Sequence, residues 1–119
     1  MLADTSVWID HLQRGNPELA RLLQNGGVSV HPFVIGELAC GRLRRRQEIL
    51  TLLTALPQLG VLAQEEALAF LERNRLMGTG LGWIDIHLLG SVMLARTRLW
   101  TLDRSLRRAA EGLGIAAEF

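Results

Sequence analysis

The sequence predicts an α/β fold with a parallel sheet, formed as a single domain over residues 1–119. Short apolar runs of strand length alternate with helical segments along the whole chain, which is typical of an α/β architecture. Glycine and proline separate these segments, and no linker or low-complexity stretch interrupts them. Because helices connect successive strands, right-handed crossovers and parallel pairing are expected.

The first strand is predicted at residues 1–3, and it stops at Asp4, Thr5 and Ser6, which are good N-cap residues. Apolar residues then recur with helical spacing until Gly15-Asn16-Pro17 breaks the chain. Further strands are predicted over residues 28–31, 60–63, 99–102 and 115–117. Further helices are predicted over residues 18–24, 32–43, 47–56, 64–77, 83–97 and 105–112. The helix over 83–97 is apolar on nearly every side, so we expect it to be buried between layers.

The composition excludes several classes of protein. The net charge is +1, and all thirteen basic residues are arginine, so a P-loop or a catalytic lysine is excluded. The single cysteine, Cys40, cannot form an internal disulfide. The N-terminus lacks the features of a signal peptide, and the longest apolar stretch is too short and too polar to span a bilayer. A soluble cytoplasmic protein without membrane contact is therefore predicted.

Four acidic residues stand at positions where chemistry is expected. Asp4 and Asp103 each follow a predicted strand, and the carboxyl ends of parallel strands form the ligand crevice of an open sheet. Asp85 lies in the first turn of the buried helix, which follows the glycine-rich segment 78–82. Glu37 lies among apolar and small residues of its helix, where an uncompensated carboxylate is costly.

Each acid also has a structural interpretation. Asp4 and Asp103 suit the N-caps of helices, Asp85 suits a helical first turn, and Glu37 suits an ion pair with an arginine. If the four gather, however, each pair of charges about 4 Å apart repels by roughly 4 kcal/mol at an effective dielectric of 20. A divalent cation removes this cost. Carboxylates without cysteine or histidine partners favour Mg²⁺ or Mn²⁺ over zinc, and the three histidines lack zinc-type spacing and are interpreted as structural.

Four segments around these acids resemble, in order and spacing, the four motifs of PIN-domain nucleases. They read LADTS at 2–6, GEL at 36–38, WIDI at 83–86 and LWTLD at 99–103. The resemblance covers essentially the whole chain, and the compact length is similar to that of the VapC toxins of toxin–antitoxin pairs.

The resemblance implies a three-layer α/β/α sandwich, a homodimer, and an endoribonuclease that a cognate antitoxin protein inhibits. It implies that the catalytic, metal-binding acids are Asp4, Glu37, Asp85 and Asp103, with supporting hydroxyls from Thr5, Ser6 and Thr101. The implied reaction is Mg²⁺-assisted hydrolysis of RNA phosphodiester bonds, with Mn²⁺ as a second possible cation. Many relatives carry another acid soon after the fourth one, whereas Arg104-Ser105-Leu106 follows here. This difference predicts a site with fewer carboxylates, and the sequence is compatible with either one or two bound metal ions.

Arginines cluster beside two of these acids, and they are interpreted either as contacts to RNA phosphates or an antitoxin, or as solvated helix ends. The candidates are Arg42, Arg44, Arg45, Arg46 and Arg104. The alternative function is a catalytically inactive PIN-like module that binds RNA or protein. A phosphotransfer receiver would need a late lysine, and a haloacid-type phosphatase would need an acid where Ser6 stands.

Overall fold

The computed structural model describes residues 1–119 as seven helices around a very short parallel sheet. The strands are β1 (Leu2–Ala3) and β2 (Leu99–Trp100). The helices are α1 (Thr5–Arg14), α2 (Pro17–Gln24), α3 (Pro32–Cys40), α4 (Arg46–Ala55), α5 (Gln64–Arg73), α6 (Trp83–Ala95) and α7 (Arg104–Gly112). The predicted alternation of strands and helices is confirmed.

Single residue pairs extend the sheet on both sides of β1 and β2, which pair in parallel with Leu2 opposite Leu99. The additional parallel pairs are Leu2–Ser29, Val30–Gln58 and Leu99–Ala116. Numbered along the chain, the five segments therefore lie in the order 3-2-1-4-5. The order reverses between β1 and β2, and ligands of open parallel sheets bind at such a reversal, outside the carboxyl ends of the strands.

The helices pack on the sheet through α1 and α6. Helix α1 contacts β1, α2 and α3, whereas α6 contacts β2 and α5. Every residue of α6 from Ile86 to Val92 is buried, so the predicted central helix is confirmed. Gly90 makes this packing possible, because a Cβ at its position would lie 2.4 Å from Leu62 Cδ1.

The predicted strand over residues 60–63 is wrong. The pairing with Val30 occurs at residues 57–59, before the predicted strand. The Val30 N–H donates to the Pro57 carbonyl and the Leu59 N–H donates to the Val30 carbonyl, each at 2.8 Å. Beyond this point the Gly60 carbonyl accepts a hydrogen bond from the Ser91 hydroxyl at 2.8 Å. Leu62 then packs against Gly90 of α6, and the segment does not extend the sheet. The predicted strands over 28–31 and 115–117 are likewise reduced to single residue pairs.

Several elements end earlier than predicted. Helix α5 ends at Arg73 because Arg75 takes a left-handed conformation (φ 52°) and the Leu76 N–H bonds to the Leu71 carbonyl, as in a Schellman-type end. Helix α3 ends at Cys40, so residues 41–45 form a loop instead of a helix end. Strand β2 ends at Trp100, which leaves residues 101–103 free to build the site described next.

Candidate active site

Three neighbouring sheet segments end in a side chain that caps the following helix. Asp4 follows β1, His31 follows the second segment, and Asp103 follows residues 99–102. Their acceptors receive main-chain N–H groups as follows: Asp4 Oδ1 from Val7 at 3.2 Å, His31 Nδ1 from Phe33 at 3.0 Å, and Asp103 Oδ1 from Leu106 at 2.9 Å. The capping interpretation of the two aspartates is therefore correct, and it leaves each of them a second carboxylate oxygen.

Asp4 is held by two hydroxyl groups that also bond to the chain after β2. The Ser6 hydroxyl donates to Asp4 Oδ1 at 2.5 Å, and the Thr101 hydroxyl donates to Asp4 Oδ2 at 2.6 Å. In turn, Ser6 Oγ accepts the Leu102 N–H at 2.9 Å, and Thr101 Oγ1 accepts the Asp103 N–H at 3.0 Å. Each hydroxyl thus connects the end of β1 to the segment that leads into α7.

The carboxylate of Asp4 is buried and has no basic side chain beside it. Asp4 is only 5% exposed. Burial raises the pKa of Asp4, and the hydrogen bonds from Ser6, Thr101 and Val7 oppose that shift only in part. None of the four salt bridges in the structure includes Asp4, and none includes another of the four predicted site acids. A buried carboxylate of this kind gains when a cation binds next to it.

Glu37 lies on the second turn of α3, and its side chain turns toward the start of α1. The Thr5 hydroxyl donates to Glu37 Oε1 at 3.2 Å. Glu37 is exposed, so the expectation that this carboxylate sits in an apolar environment is wrong; Gly36 beside it is exposed as well and offers no apolar surface. The alternative interpretation, an ion pair with an arginine, is absent.

Asp85 and Asp103 form the other side of the group. Asp85 is half-buried in the first turn of α6, and its Oδ2 accepts the Gly82 N–H at 3.0 Å. Burial raises the pKa of Asp85; the bond from Gly82 opposes this shift, and the negative charge of Asp103 adds to it. The two carboxylates are therefore close enough to repel each other, and Asp103 is exposed to solvent.

The four acids form an open group at the reversal between β1 and β2. The Thr5 hydroxyl of α1 is hydrogen-bonded to Glu37, and the Thr101 hydroxyl is hydrogen-bonded to both Asp4 and the Asp103 N–H. The negative charge of Asp103 acts on Asp85. No three of the His, Cys, Asp and Glu side chains are close enough to hold an ion in this conformation. The donors nevertheless fit a hard divalent cation: all are carboxylate oxygens, none is paired with an arginine, and Mg²⁺ keeps several water ligands of its own.

The predicted arginine contacts lie on the loop between α3 and α4 and at the start of α7. Arg42, Arg44 and Arg45 line a cleft of about 630 Å³ together with apolar side chains. Those apolar residues are Ile9, Leu12, Leu38, Leu43 and Ile49. Arg46 bonds weakly to the Gly41 carbonyl, and Arg104 is exposed beside Asp103. The basic cluster is thus half of an amphipathic cleft and not a purely solvated helix end.

Two aromatic side chains lie near the starts of the helices that carry Glu37 and Asp85, and the sequence analysis did not select them as functional. Phe33 precedes Glu37 by one helical turn, and Trp83 precedes Asp85 by two residues. Both rings pack against His87, at centroid distances of 4.8 Å and 4.9 Å. The sequence feature that could have identified them is the i, i+4 spacing of Trp83 and His87, which places these two rings on one face of the helix.

The sequence profile of the PIN domain matches residues 1–112. The chain is also 44% identical over 117 residues to Ribonuclease VapC32 of Mycobacterium tuberculosis, in strains CDC 1551 / Oshkosh and ATCC 25618 / H37Rv. That match covers 98% of this chain and 94% of each relative. The chain belongs to the PIN-domain family. The resemblance predicted from the four motifs is confirmed.

The crystal structure of PAE2754 from Pyrobaculum aerophilum has the same fold as this PIN domain. The two align with a TM-score of 0.67 at 15% identity, over 93% of this chain and 84% of the other. This likeness confirms the predicted α/β fold class with its short parallel sheet. The longest helix of the PIN domain, α6, has 13 residues, and no helix has the length and hydropathy needed to cross a membrane.

Proposed function

We propose that this PIN domain is an endoribonuclease of the VapC type, which hydrolyses RNA phosphodiester bonds with Mg²⁺, or Mn²⁺, held by Asp4, Glu37, Asp85 and Asp103. The observation that carries this proposal is Asp4: a buried carboxylate that pairs with no basic side chain, fixed at the reversal of strand order. Its relative VapC32 is named a ribonuclease, which agrees with the reaction that such a site would perform.

The residues of the chain have distinct tasks in this reaction. A bound divalent cation would polarise the phosphodiester and activate water. Asp4 would hold the cation from the buried side, because Ser6 and Thr101 fix both of its oxygens before any ligand arrives. Preorganisation of this kind avoids the reorganisation that a mobile carboxylate would require.

The exposed acids would complete the site on the substrate side. Glu37, oriented by Thr5, and Asp103, fixed as an N-cap, face solvent where an RNA strand can approach. Asp85 would enter the site from the start of α6, and its repulsion with Asp103 would be relieved by the cation. No side-chain nucleophile is required, because water attacks the phosphorus.

The amphipathic cleft favours a protein partner over RNA. Arg42, Arg44 and Arg45 share it with five apolar residues, a lining that suits acidic and apolar side chains of an antitoxin. Replacing these three arginines with glutamine should weaken antitoxin binding and leave the salt dependence of RNA binding unchanged. A flatter salt dependence would instead identify them as phosphate contacts. The homodimer, the single domain over residues 1–119 and the cytoplasmic location remain predictions.

The activity is tested by incubating purified protein with RNA in Mg²⁺, in Mn²⁺ and in EDTA. We expect cleavage with either metal, none in EDTA, and none for Asp4→Ala. Asp10→Asn is the matched control, because Asp10 lies on the same helix α1 but pairs with Arg14 and Asn16. RNA binding without cleavage under every condition would instead favour the inactive binding module.

A further inference from the structure

Four aromatic rings form a continuous row from the core to the surface beside the acids. His31 contacts Phe33 at 5.0 Å, Phe33 contacts His87 at 4.8 Å, and His87 contacts Trp83 at 4.9 Å between centroids. All three contacts are edge-to-face, with interplanar angles of 62°, 65° and 89°. The two ends of the row differ in exposure: His31 is 0% exposed and Trp83 is 37% exposed.

The outer end of this row lies at the edge of the candidate active site. Trp83 is the first residue of α6, in the same helical turn as Asp85. On α3, Phe33 and Glu37 are four residues apart and therefore on one face of the helix. The Phe33–His87 contact joins the first turn of α3 to the first turns of α6, so Trp83 begins its helix at the carboxyl edge of the sheet, where the chains that carry Glu37 and Asp85 meet.

Within the row, His87 contributes a packed ring and leaves one of its buried nitrogens without a hydrogen bond. His87 is only 3% exposed, yet its Nδ1 is buried without a hydrogen-bond partner. A buried polar atom without a partner is costly, so an apolar side chain would serve the core better. What His87 supplies is a flat ring that braces the indole of Trp83 from behind.

We propose that Trp83 is a stacking platform for one unpaired nucleobase of the RNA, next to the bond that is cleaved. This inference rests on the proposed function, because the acids place the phosphate and thereby fix where the neighbouring base must lie. Single-stranded RNA is commonly held by bases stacked on aromatic side chains, and a ring fixed in advance loses little entropy when a base binds. His87 and Phe33 are positioning residues that act through Trp83.

The first test uses the intrinsic fluorescence of tryptophan, with single-stranded poly(A) as the probe and EDTA present to prevent cleavage. We expect poly(A) to quench the wild type, and the quenching to disappear in Trp83→Phe, although this variant still binds. Trp100→Phe is the control and should keep the quenching, since the Trp100 ring packs on Phe119 and not on His87. Sodium polyphosphate, which has the charge but no bases, should quench neither protein.

The second test separates stacking from folding by steady-state cleavage kinetics. Trp83→Ala should raise KM about tenfold with a nearly unchanged kcat, while Trp83→Phe stays near the wild type. His87→Phe should also stay near the wild type because it keeps a flat ring, whereas His87→Ala should raise KM. Phe119→Ala removes an exposed aromatic ring elsewhere and should change nothing.

The outcomes distinguish this inference from the proposed function. Cleavage by the wild type, combined with an unchanged KM in Trp83→Ala, would overturn the platform and leave the nuclease intact. Quenching that persists in Trp83→Phe, equal quenching by polyphosphate, or no binding of poly(A) would also overturn it. Trp83-dependent quenching without cleavage of any RNA would support the platform and refute the nuclease.

Discussion

Asp4 and His31 occupy matching positions at the ends of neighbouring sheet segments, and both cap the helix that follows. Both are buried, and both bond to hydroxyls: Asp4 to Ser6 and Thr101, His31 to Ser91 at 3.1 Å. The surroundings differ. Asp4 lies where the strand order reverses, among other carboxylates, whereas His31 lies one segment away, within the core. Position relative to this reversal therefore separates a candidate catalytic group from a structural one.

Burial moves the two groups in opposite directions. It raises the pKa of Asp4 and lowers the pKa of His31 to about 4, because in each case the charged form is disfavoured. For His31 the neutral form is also the useful one, since its Nδ1 must accept the Phe33 N–H. For Asp4 the charged form is the useful one, and a bound cation would add to the partial compensation that its hydrogen bonds give. The fold thus satisfies His31 and leaves Asp4 in need of a ligand.

The largest effect should come from exchanging the two groups for neutral polar residues. Asp4→Asn should lower the cleavage rate by about a thousandfold, equivalent to roughly 4 kcal/mol, and leave metal-free stability unchanged or raised. His31→Gln should lower stability by about 2–4 kcal/mol through the lost cap and altered core packing, and leave the remaining folded protein active. Cleavage kinetics and urea unfolding measure the two effects. A strongly destabilised Asp4→Asn would contradict the difference drawn between the two positions.

Acid should destabilise the protein through His31. The folded pKa of about 4 lies below the ordinary value of 6.5, so the unfolded chain binds more protons between these values. This stability is complete above pH 6.5 and is lost as pH falls toward 4, by roughly 2–3 kcal/mol at about 1.4 kcal/mol per pKa unit. Urea unfolding between pH 7.5 and 4.5 measures the loss. A His31 imidazole that titrates near pH 6.5 by NMR would contradict the explanation.

A smaller effect should follow from removing one hydroxyl beside Asp4. Thr101→Val deletes the donor to Asp4 Oδ2 and the acceptor of the Asp103 N–H, and should destabilise the protein by about 1–3 kcal/mol. Thr101→Ser keeps both hydrogen bonds, so its stability and activity should be closer to those of the wild type than the stability and activity of Thr101→Val. Thermal unfolding and cleavage kinetics of the two variants test this expectation. Equal defects in Thr101→Ser and Thr101→Val would show that the methyl group matters instead of the hydroxyl.

Much of this arrangement was predictable from sequence because strand ends and caps are local features. Asp4 and Asp103 follow short apolar runs, and the structure places them at one edge of the sheet as expected. The environment of Glu37 was not predictable: a helical projection gives its neighbours on α3 but not the absence of a covering element, so its exposure was missed.

The errors in the elements have two causes, one in tertiary packing and one in local backbone conformation. Residues 60–63 have the composition of a strand, but the Ser91 hydroxyl and the close approach at Gly90 draw them onto α6. The end of α5 depends on the left-handed conformation of Arg75, which no local residue preference indicates. A contact between distant segments decides the first case and a local backbone conformation decides the second, and neither can be read from a single sequence.

The most direct test of the central claim is the binding of Mn²⁺, followed by electron paramagnetic resonance, in the absence of RNA. Wild type should bind the ion, and Asp4→Asn, Glu37→Gln, Asp85→Asn and Asp103→Asn should each bind it more weakly. Asp10→Asn, which alters a carboxylate outside the site, should bind it like the wild type. Wild-type affinity in all four site variants would show that these carboxylates do not form one metal site, and would contradict the account.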